Sequence, residues 1–155
     1  MKLNTKLLIS SIFISVGVGA LAGLLTTDSV QVYEQLIKPP LSPPSWVFPV
    51  VWTALYILMG ISAHLISISD DPRKEQALKI YGMQLFLNFC WSIVFFNMQQ
   101  YLLAFVILVL LWILIVLMIR SFNKINPLAA KLQIPYLLWV TFAGYLNLAI
   151  YFLNK

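Results

Sequence analysis

The sequence predicts an all-α integral membrane protein, a bundle of five transmembrane helices. Of the 155 residues, 61% are hydrophobic and only 10% are charged, whereas about 25% are charged in soluble domains. The mean hydropathy is +0.91. The apolar residues form five long runs between short polar or proline-rich connections, and about 20 apolar residues suffice for one helix to cross a bilayer. We therefore expect one domain, residues 1–155, as a multi-pass protein of the cell membrane.

The first apolar run, 7–27, is long enough to be a membrane span, since a helix rises about 1.5 Å per residue and the hydrocarbon core is about 30 Å thick. A secretory signal peptide is the alternative, because Lys2 and Lys6 precede the run and Ala20-Leu21-Ala22 resembles a cleavage site. The run exceeds the usual length of the apolar region of a signal peptide, which favours a span.

Four further spans follow, and none of the five contains Asp, Glu, Lys or Arg. They are predicted at about 46–69, 80–98, 102–119 and 132–153. The connection 28–45 contains Pro39-Pro40 and Pro43-Pro44, whose fixed φ and missing N–H groups exclude a continuous helix and predict a stiff, folded loop. Pro49 is tolerated in the first turn of the second span, because an N–H group there has no intrahelical acceptor.

Lys and Arg are distributed unequally between the two sides of the membrane. Eight belong to the N-terminus and to the second and fourth connections, namely Lys2, Lys6, Arg73, Lys74, Lys79, Arg120, Lys124 and Lys131. Only Lys38 and Lys155 fall on the opposite side. Because short loops rich in Lys and Arg stay in the cytoplasm, we expect the N-terminus inside, and the C-terminus and the proline-rich loop outside.

Several functional classes are disfavoured by the residues present. The basic residues are scattered and form no stripe, so nucleic-acid binding is not expected. The single cysteine, Cys90, excludes a disulfide framework and a cysteine metal site, and His64 alone offers no metal-ligand cluster. The spans lack the charges that ion pathways and proton relays use. We therefore expect no metal or other cofactor and no conventional acid–base catalysis.

Polar and aromatic residues recur at a spacing of about four within two spans. In the third span these are Gln84, Asn88, Trp91 and Phe95, and in the fifth they are Trp139, Ala143, Asn147 and Tyr151. Each set shares one helix face, and Trp52 of the second span lies at a similar depth. Facing stripes of this kind could enclose a flat, largely apolar ligand, with the Trp52 indole and the Asn88 amide as hydrogen-bond donors. Interhelical hydrogen bonding with aromatic packing is the alternative.

Two further features are open to more than one interpretation. Small residues stand at a strict spacing of four in the first span, at Ser11, Ser15, Gly19 and Gly23. Such a face lets helix backbones approach closely, and the neighbour is either another span or a second copy of the chain. Trp112 has no polar residue at helical spacing around it, so we interpret it as lipid-facing or as a packing residue.

Motifs along nearly the whole chain resemble the signature of one family. They are Tyr33, Leu36, Lys38-Pro39, Pro43-Pro44, Trp46, Pro49, Trp52, Leu55-Tyr56, Met59-Gly60, Gln84, Leu87-Asn88, Trp91, Phe95-Phe96, Pro127-Leu128-Ala129-Ala130, Pro135-Tyr136, Trp139, Phe142 and Leu146-Asn147. In this order and register they resemble the translocator protein family, also called tryptophan-rich sensory proteins, TspO/MBR or peripheral-type benzodiazepine receptors.

The resemblance implies a five-span bundle, often a homodimer, whose cavity opens toward the first loop. That cavity would bind porphyrins or other tetrapyrroles, sterol-like lipids and synthetic drugs of the benzodiazepine-receptor type. In bacterial members it further implies light-dependent oxidative degradation of protoporphyrin IX by two cavity tryptophans, which by position are Trp52 and Trp139. The other expected ligand-binding residues are Tyr33, Pro43, Asn88, Trp91, Ala143 and Asn147.

Three positions depart from the family pattern, because Val32, Leu41 and Phe89 stand where many relatives have tryptophan. The rate or the products of the photochemistry could therefore differ. Two alternatives to photo-oxidation stay open at this point: a transporter of tetrapyrroles or lipids, and a regulatory membrane protein that senses a ligand. An active transport mechanism is disfavoured, because the spans have no charges and no internal repeat.

Overall fold

The computed structural model describes residues 4–155, apart from the side chain of Val30, and within that range it contains helices and no strand. The helices are α1 (Thr5–Thr26), α2 (Val30–Gln35), α3 (Val47–Ser67), α4 (Lys74–Ser92), α5 (Tyr101–Asn123), α6 (Pro127–Leu132) and α7 (Ile134–Leu153). A 3₁₀ turn follows α1 and a π-helical turn, Ile93–Asn97, extends α4. Five segments are long and apolar enough to cross a membrane, which confirms the predicted fold class. Lys2 lies outside the described residues.

The helices of the third and fifth spans extend beyond the apolar runs. The third span begins at Lys74, and the fifth includes α6 and so begins at Pro127. A charged residue does not end a helix, because Lys has a high helix propensity and its apolar stem can lie along the bundle while its ammonium reaches water. Ala77 is fully buried in this added part of α4. The added turns therefore pack against the bundle although their charges lie outside the apolar run.

The small-residue face of α1 packs against α3 of the same chain. The hydroxyl of Ser15 donates to the backbone oxygen of Tyr56 over 2.6 Å. A Cβ atom added to Gly60 would lie only 2.5 Å from the Cα atom of Ile12, and one added to Gly19 would overlap the ring of Tyr56. Small residues on both helices permit this close approach. The neighbour that the sequence left open is thus an internal one for Ser15 and Gly19.

The two ends of the bundle differ in character. At the basic side, which holds the loops 68–73 and 124–126, Arg73 forms an ion pair with Asp71 over 2.6 Å and donates to the backbone oxygen of Lys124 over 3.0 Å. These contacts tie the two loops together. At the other end, here called the proline-rich side, lie residues 27–46, the turn 98–100 and the C-terminus. Helix α2 and the loop that follows it cover the bundle there.

Candidate functional site

A cavity of about 640 Å³ lies between α1, α3, α4 and α7, beneath α2. That volume is within the usual range of small-molecule sites. Its wall includes Gly19 and Gly23 of α1, Trp52 and Tyr56 of α3, Trp91 of α4, and Ala143 and Asn147 of α7, with Tyr33 of α2 above. None of the described lining residues carries a carboxylate, an amine or an imidazole. The site therefore suits a largely uncharged, apolar ligand.

Aromatic rings form one side of this cavity. The indole of Trp52 stacks on the ring of Tyr56, with centroids 5.7 Å apart and an interplanar angle of 30°. The ring centroid of Trp91 lies 6.2 Å from that of Trp52. The ring of Tyr33 packs edge-on against Phe48, with centroids 5.6 Å apart, and burial raises the pKa of its hydroxyl. Rings held in this way present flat faces and edges to a planar ligand.

The cavity opens sideways. Its exposed lining residues all belong to α1, to the turn after it or to the start of α3, and they are Ala20, Gly23, Thr27, Trp46, Pro49 and Thr53. The lining residues of α4 and α7 are buried or half-buried. The mouth therefore lies between α1 and α3 and extends to Thr27 and Trp46, which flank the first loop.

The two asparagine amides hold helices together. The Oδ1 atom of Asn88 accepts from the Tyr56 hydroxyl over 3.2 Å, and its Nδ2 atom donates to the Tyr136 hydroxyl over 2.8 Å. The Oδ1 atom of Asn147 accepts from the Trp91 indole over 3.0 Å, and its Nδ2 atom donates to the backbone oxygen of Tyr101 over 2.8 Å. Amides in an apolar bundle need such partners. In the structure, the interhelical role accounts for both amides.

The structure brings together some of the expected site residues and separates others. Tyr33, Trp52, Trp91, Ala143 and Asn147 line the cavity. Asn88 does not line the cavity, but it accepts a hydrogen bond from Tyr56, which does. Pro43 is half-buried in the proline-rich loop and does not belong to the lining of the described chain.

Trp139 also lies beyond the cavity wall. Its ring packs against Phe48 at 5.9 Å, and its indole nitrogen is buried with no hydrogen-bond partner in the described part of the chain. A spacing of four rotates side chains by about 40° per step on a helix of about 3.6 residues per turn. Trp139 is therefore turned by about 80° from Asn147, which places it behind Phe48.

Sequence reasoning missed one role of the α1 glycines and one contact between helices. Gly19 and Gly23 were recognised as a packing face, but both also line the cavity, where a side chain would occupy ligand space. The indole of Trp112 donates to the hydroxyl of Thr141 over 2.9 Å, although Trp112 is 40% exposed. Its polar partner is on α7, so the pattern of residues within one helix could not reveal it.

A five-span helical bundle with an aromatic cavity between its helices defines a multi-pass membrane protein. The chain belongs to the TspO/MBR family, whose family model matches residues 11–153. It is 43% identical over 124 residues to the tryptophan-rich protein TspO of Chlorobaculum tepidum, covering 79% of this chain and 78% of that one. It is 36% identical over 153 residues to the TspO of Archaeoglobus fulgidus, covering 98% and 99%. The translocator protein of Ovis aries is 36% identical over 118 residues, covering 74% and 70%.

Proposed function

We propose that this protein binds a tetrapyrrole, protoporphyrin IX, in the cavity and promotes its light-dependent oxidative degradation. The observation that carries the proposal is the Trp52 indole, which lies in the cavity wall, stacked on Tyr56 and next to Trp91. Drugs of the benzodiazepine-receptor type and sterol-like lipids are flat and apolar as well and would compete for the same space. A homodimer is the proposed assembly, by resemblance to the family.

The shape and the opening of the cavity fit a flat ligand that dissolves in the membrane. Aromatic faces and apolar side chains supply dispersion contacts to a macrocycle. The propionates of the macrocycle would lie toward the proline-rich side, where Lys38 is 5.1 Å from the centroid of the Tyr33 ring that covers the site. Tyr33, Trp91, Ala143 and Asn147 would contact the ligand. Pro43 and Asn88 would act indirectly, by shaping the loop and holding Tyr56.

The proposed chemistry uses light and dioxygen in place of an acid, a base or a metal. The bound porphyrin absorbs light, and its excited state takes one electron from the Trp52 indole, leaving a porphyrin anion radical and an indole cation radical. Dioxygen is the terminal oxidant: it accepts the electron from the porphyrin anion radical and becomes superoxide. The Trp52 cation radical then takes one electron from the macrocycle, and superoxide adds to the resulting porphyrin cation radical, so that both oxygen atoms enter the macrocycle and the indole is restored. Trp139 is separated from the ligand by Phe48, so we expect it to contribute less than Trp52.

The test is illumination of the purified protein with protoporphyrin IX in air. We expect Trp52→Phe to slow product formation strongly, Trp139→Phe to slow it less, and Trp112→Phe to leave it unchanged. Trp112 is the matched control, because its indole is bonded to Thr141 away from the cavity. Titration in the dark, followed by tryptophan fluorescence, separates binding from chemistry. Unchanged product formation in both the Trp52→Phe and the Trp139→Phe variants would refute the proposal.

We also propose that the basic side faces the cytoplasm. Of the described basic residues, Lys6, Arg73, Lys74, Lys79, Arg120, Lys124 and Lys131 belong to that side, against Lys38 and Lys155 at the other. Short loops rich in Lys and Arg are retained in the cytoplasm. The proline-rich loop would then face the exterior.

A further inference from the structure

The tip of the proline-rich loop holds an exposed apolar side chain on an unfavourable backbone. The backbone N–H of Ser42 donates to the oxygen of Pro39 over 3.4 Å, which closes a four-residue turn. Leu41 is the third residue of this turn and has a φ of 71°. Glycine is the usual residue there, because a Cβ atom disfavours positive φ. Leu41 is nevertheless 82% exposed, the highest value among the large exposed hydrophobic residues of the described chain.

The position of the turn relative to the membrane follows from its contacts with α7. The Tyr145 hydroxyl donates to the oxygen of Pro40 over 2.9 Å. Tyr145 precedes Asn147 by two residues, and Asn147 bonds the backbone oxygen of Tyr101, the first residue of α5. The backbone of Tyr145 therefore lies about 3 Å further along α7 toward the basic side than that of Asn147.

Helix α5 itself indicates where the hydrocarbon core begins. Between Tyr101 and Arg120 it carries no charged side chain, and these 19 steps correspond to about 28 Å. That distance matches the thickness of a bilayer core, about 30 Å. Tyr101 thus marks the boundary of the core, and the Tyr145 backbone lies within it. The contact between Tyr145 and Pro40 places the loop tip at the edge of the core rather than above the membrane.

The backbone of this turn has few N–H groups that would lack a partner near lipid. Irregular backbone is excluded from lipid when its polar groups are unpaired. Residues 39–44 include four prolines and therefore only two N–H groups, of which that of Ser42 is bonded to Pro39. The oxygen of Pro39 also accepts from the Ser42 hydroxyl over 2.8 Å, and that of Pro40 accepts from Tyr145. Four N–H groups of this stretch are thus absent, and the oxygens of Pro39 and Pro40 are paired. The N–H of Leu41 and the oxygens of Leu41, Ser42 and Pro43 have no partner in the described chain, so the backbone itself would stay at the level of the headgroups.

We propose that the loop tip, residues 39–42, inserts Leu41 among the acyl chains of the adjacent leaflet. The lipid would compensate the unfavourable backbone conformation, because it removes an exposed leucine from water. The same loop is joined to the end of α7, where Asn154 accepts from the N–H of Ile37 over 2.9 Å and donates to its oxygen over 2.8 Å. The segment that follows α2 is therefore bonded to α7 at two levels, at Asn154 and at Tyr145. Insertion of Leu41 would give it a third attachment, to the bilayer, and so help to hold α2 over the cavity.

Spin labels in phospholipid vesicles test the position of the tip. In a Cys90→Ser background, labels are placed at Leu41→Cys, at Leu138→Cys, which is 66% exposed on α7, and at Asp70→Cys on the basic side. Dioxygen concentrates in lipid, and a nickel chelate stays in water. We expect the label at position 41 to resemble the one at 138. Accessibility like that at position 70 would place the tip in water. Exclusion of both reagents, with spin–spin broadening that disappears on dilution with unlabelled protein, would mean that a second copy covers it. Either outcome overturns the proposal.

Leu41→Gly gives a second measurement that does not need a label. Glycine relieves the backbone strain of the turn, so a leucine that only faces water predicts slower amide hydrogen exchange in residues 36–46. If Leu41 is held by lipid, its removal frees the loop, and we expect exchange in vesicles to become at least about threefold faster at residues 36–38 and 45–46, whose intrinsic exchange rates the substitution leaves unchanged. Slower or unchanged exchange contradicts the proposal. Neither experiment requires a ligand, so both are independent of the proposed photochemistry.

Discussion

Substituting Gly60 by alanine tests the close approach of α1 and α3. The added Cβ atom would lie 2.5 Å from the Cα atom of Ile12 and 2.8 Å from the hydroxyl oxygen of Ser15. Carbon atoms in favourable contact are about 3.5 to 4.0 Å apart. Because Ile12 contributes a backbone atom, a change of rotamer cannot relieve the clash. Helix α1 must move away from α3 by about 1 Å.

The energetic effect combines three contributions. Overpacking of this kind costs about 1 to 3 kcal/mol. A shift of about 1 Å also breaks the hydrogen bond from Ser15 to the backbone oxygen of Tyr56, now 2.6 Å long, with a loss of about 1 kcal/mol. Alanine has a higher helix propensity than glycine, which returns about 1 kcal/mol. We therefore expect Gly60→Ala to destabilise the protein by about 2 kcal/mol.

The matched control is Gly82→Ala in α4, where an added Cβ atom has no neighbour within 4 Å. This variant should be unchanged or more stable by up to about 1 kcal/mol. The assay is equilibrium unfolding in mixed micelles of increasing SDS fraction, followed by circular dichroism. If Gly60→Ala proves as stable as Gly82→Ala, the two helices are not in the close contact described, and the account of the α1 packing face is wrong.

Two further predictions concern polar contacts. Asn88→Leu removes the amide that joins the hydroxyls of Tyr56 and Tyr136. Because one interhelical hydrogen bond contributes about 0.6 to 1.7 kcal/mol, we expect a loss of about 1 to 2 kcal/mol in the same unfolding assay. Unchanged stability would contradict the linkage of the two hydroxyls through Asn88. The guanidinium of Arg73, and then its backbone N–H, donate to the carboxylate of Asp71 and lower its pKa from 3.8 to about 2. Because the pKa of Asp71 is lowered in the folded state, its ion pair stabilises the loop above about pH 4, and this stabilisation is lost as the pH falls toward 2. The measurement is an NMR titration of the carboxyl carbon of Asp71. A midpoint near pH 4 would disprove the pairing.

The sequence identified several of the cavity residues without placing all of them correctly relative to one another. The spacing of four in the last span grouped Trp139 with Ala143 and Asn147, of which only the latter two line the cavity. A spacing of four residues rotates successive side chains by about 40° around the helix. Over two such steps this rotation places the Trp139 indole behind Phe48. Both amides were recognised as significant, yet their partners are tyrosine, tryptophan and backbone groups of other helices.

The sequence by itself determined the five spans and the irregular, proline-rich connection. Each of these follows from a local property, because about 20 apolar residues partition into a bilayer and proline interrupts a helix wherever the helix packs. The tertiary structure alone decided that α1 lies against α3, that Trp52 faces the cavity while Trp139 does not, and that Leu41 points outward from a turn joined to Tyr145. These features depend on how the helices are rotated and tilted against each other. That arrangement is set by contacts between residues far apart in the chain, so no single span encodes it.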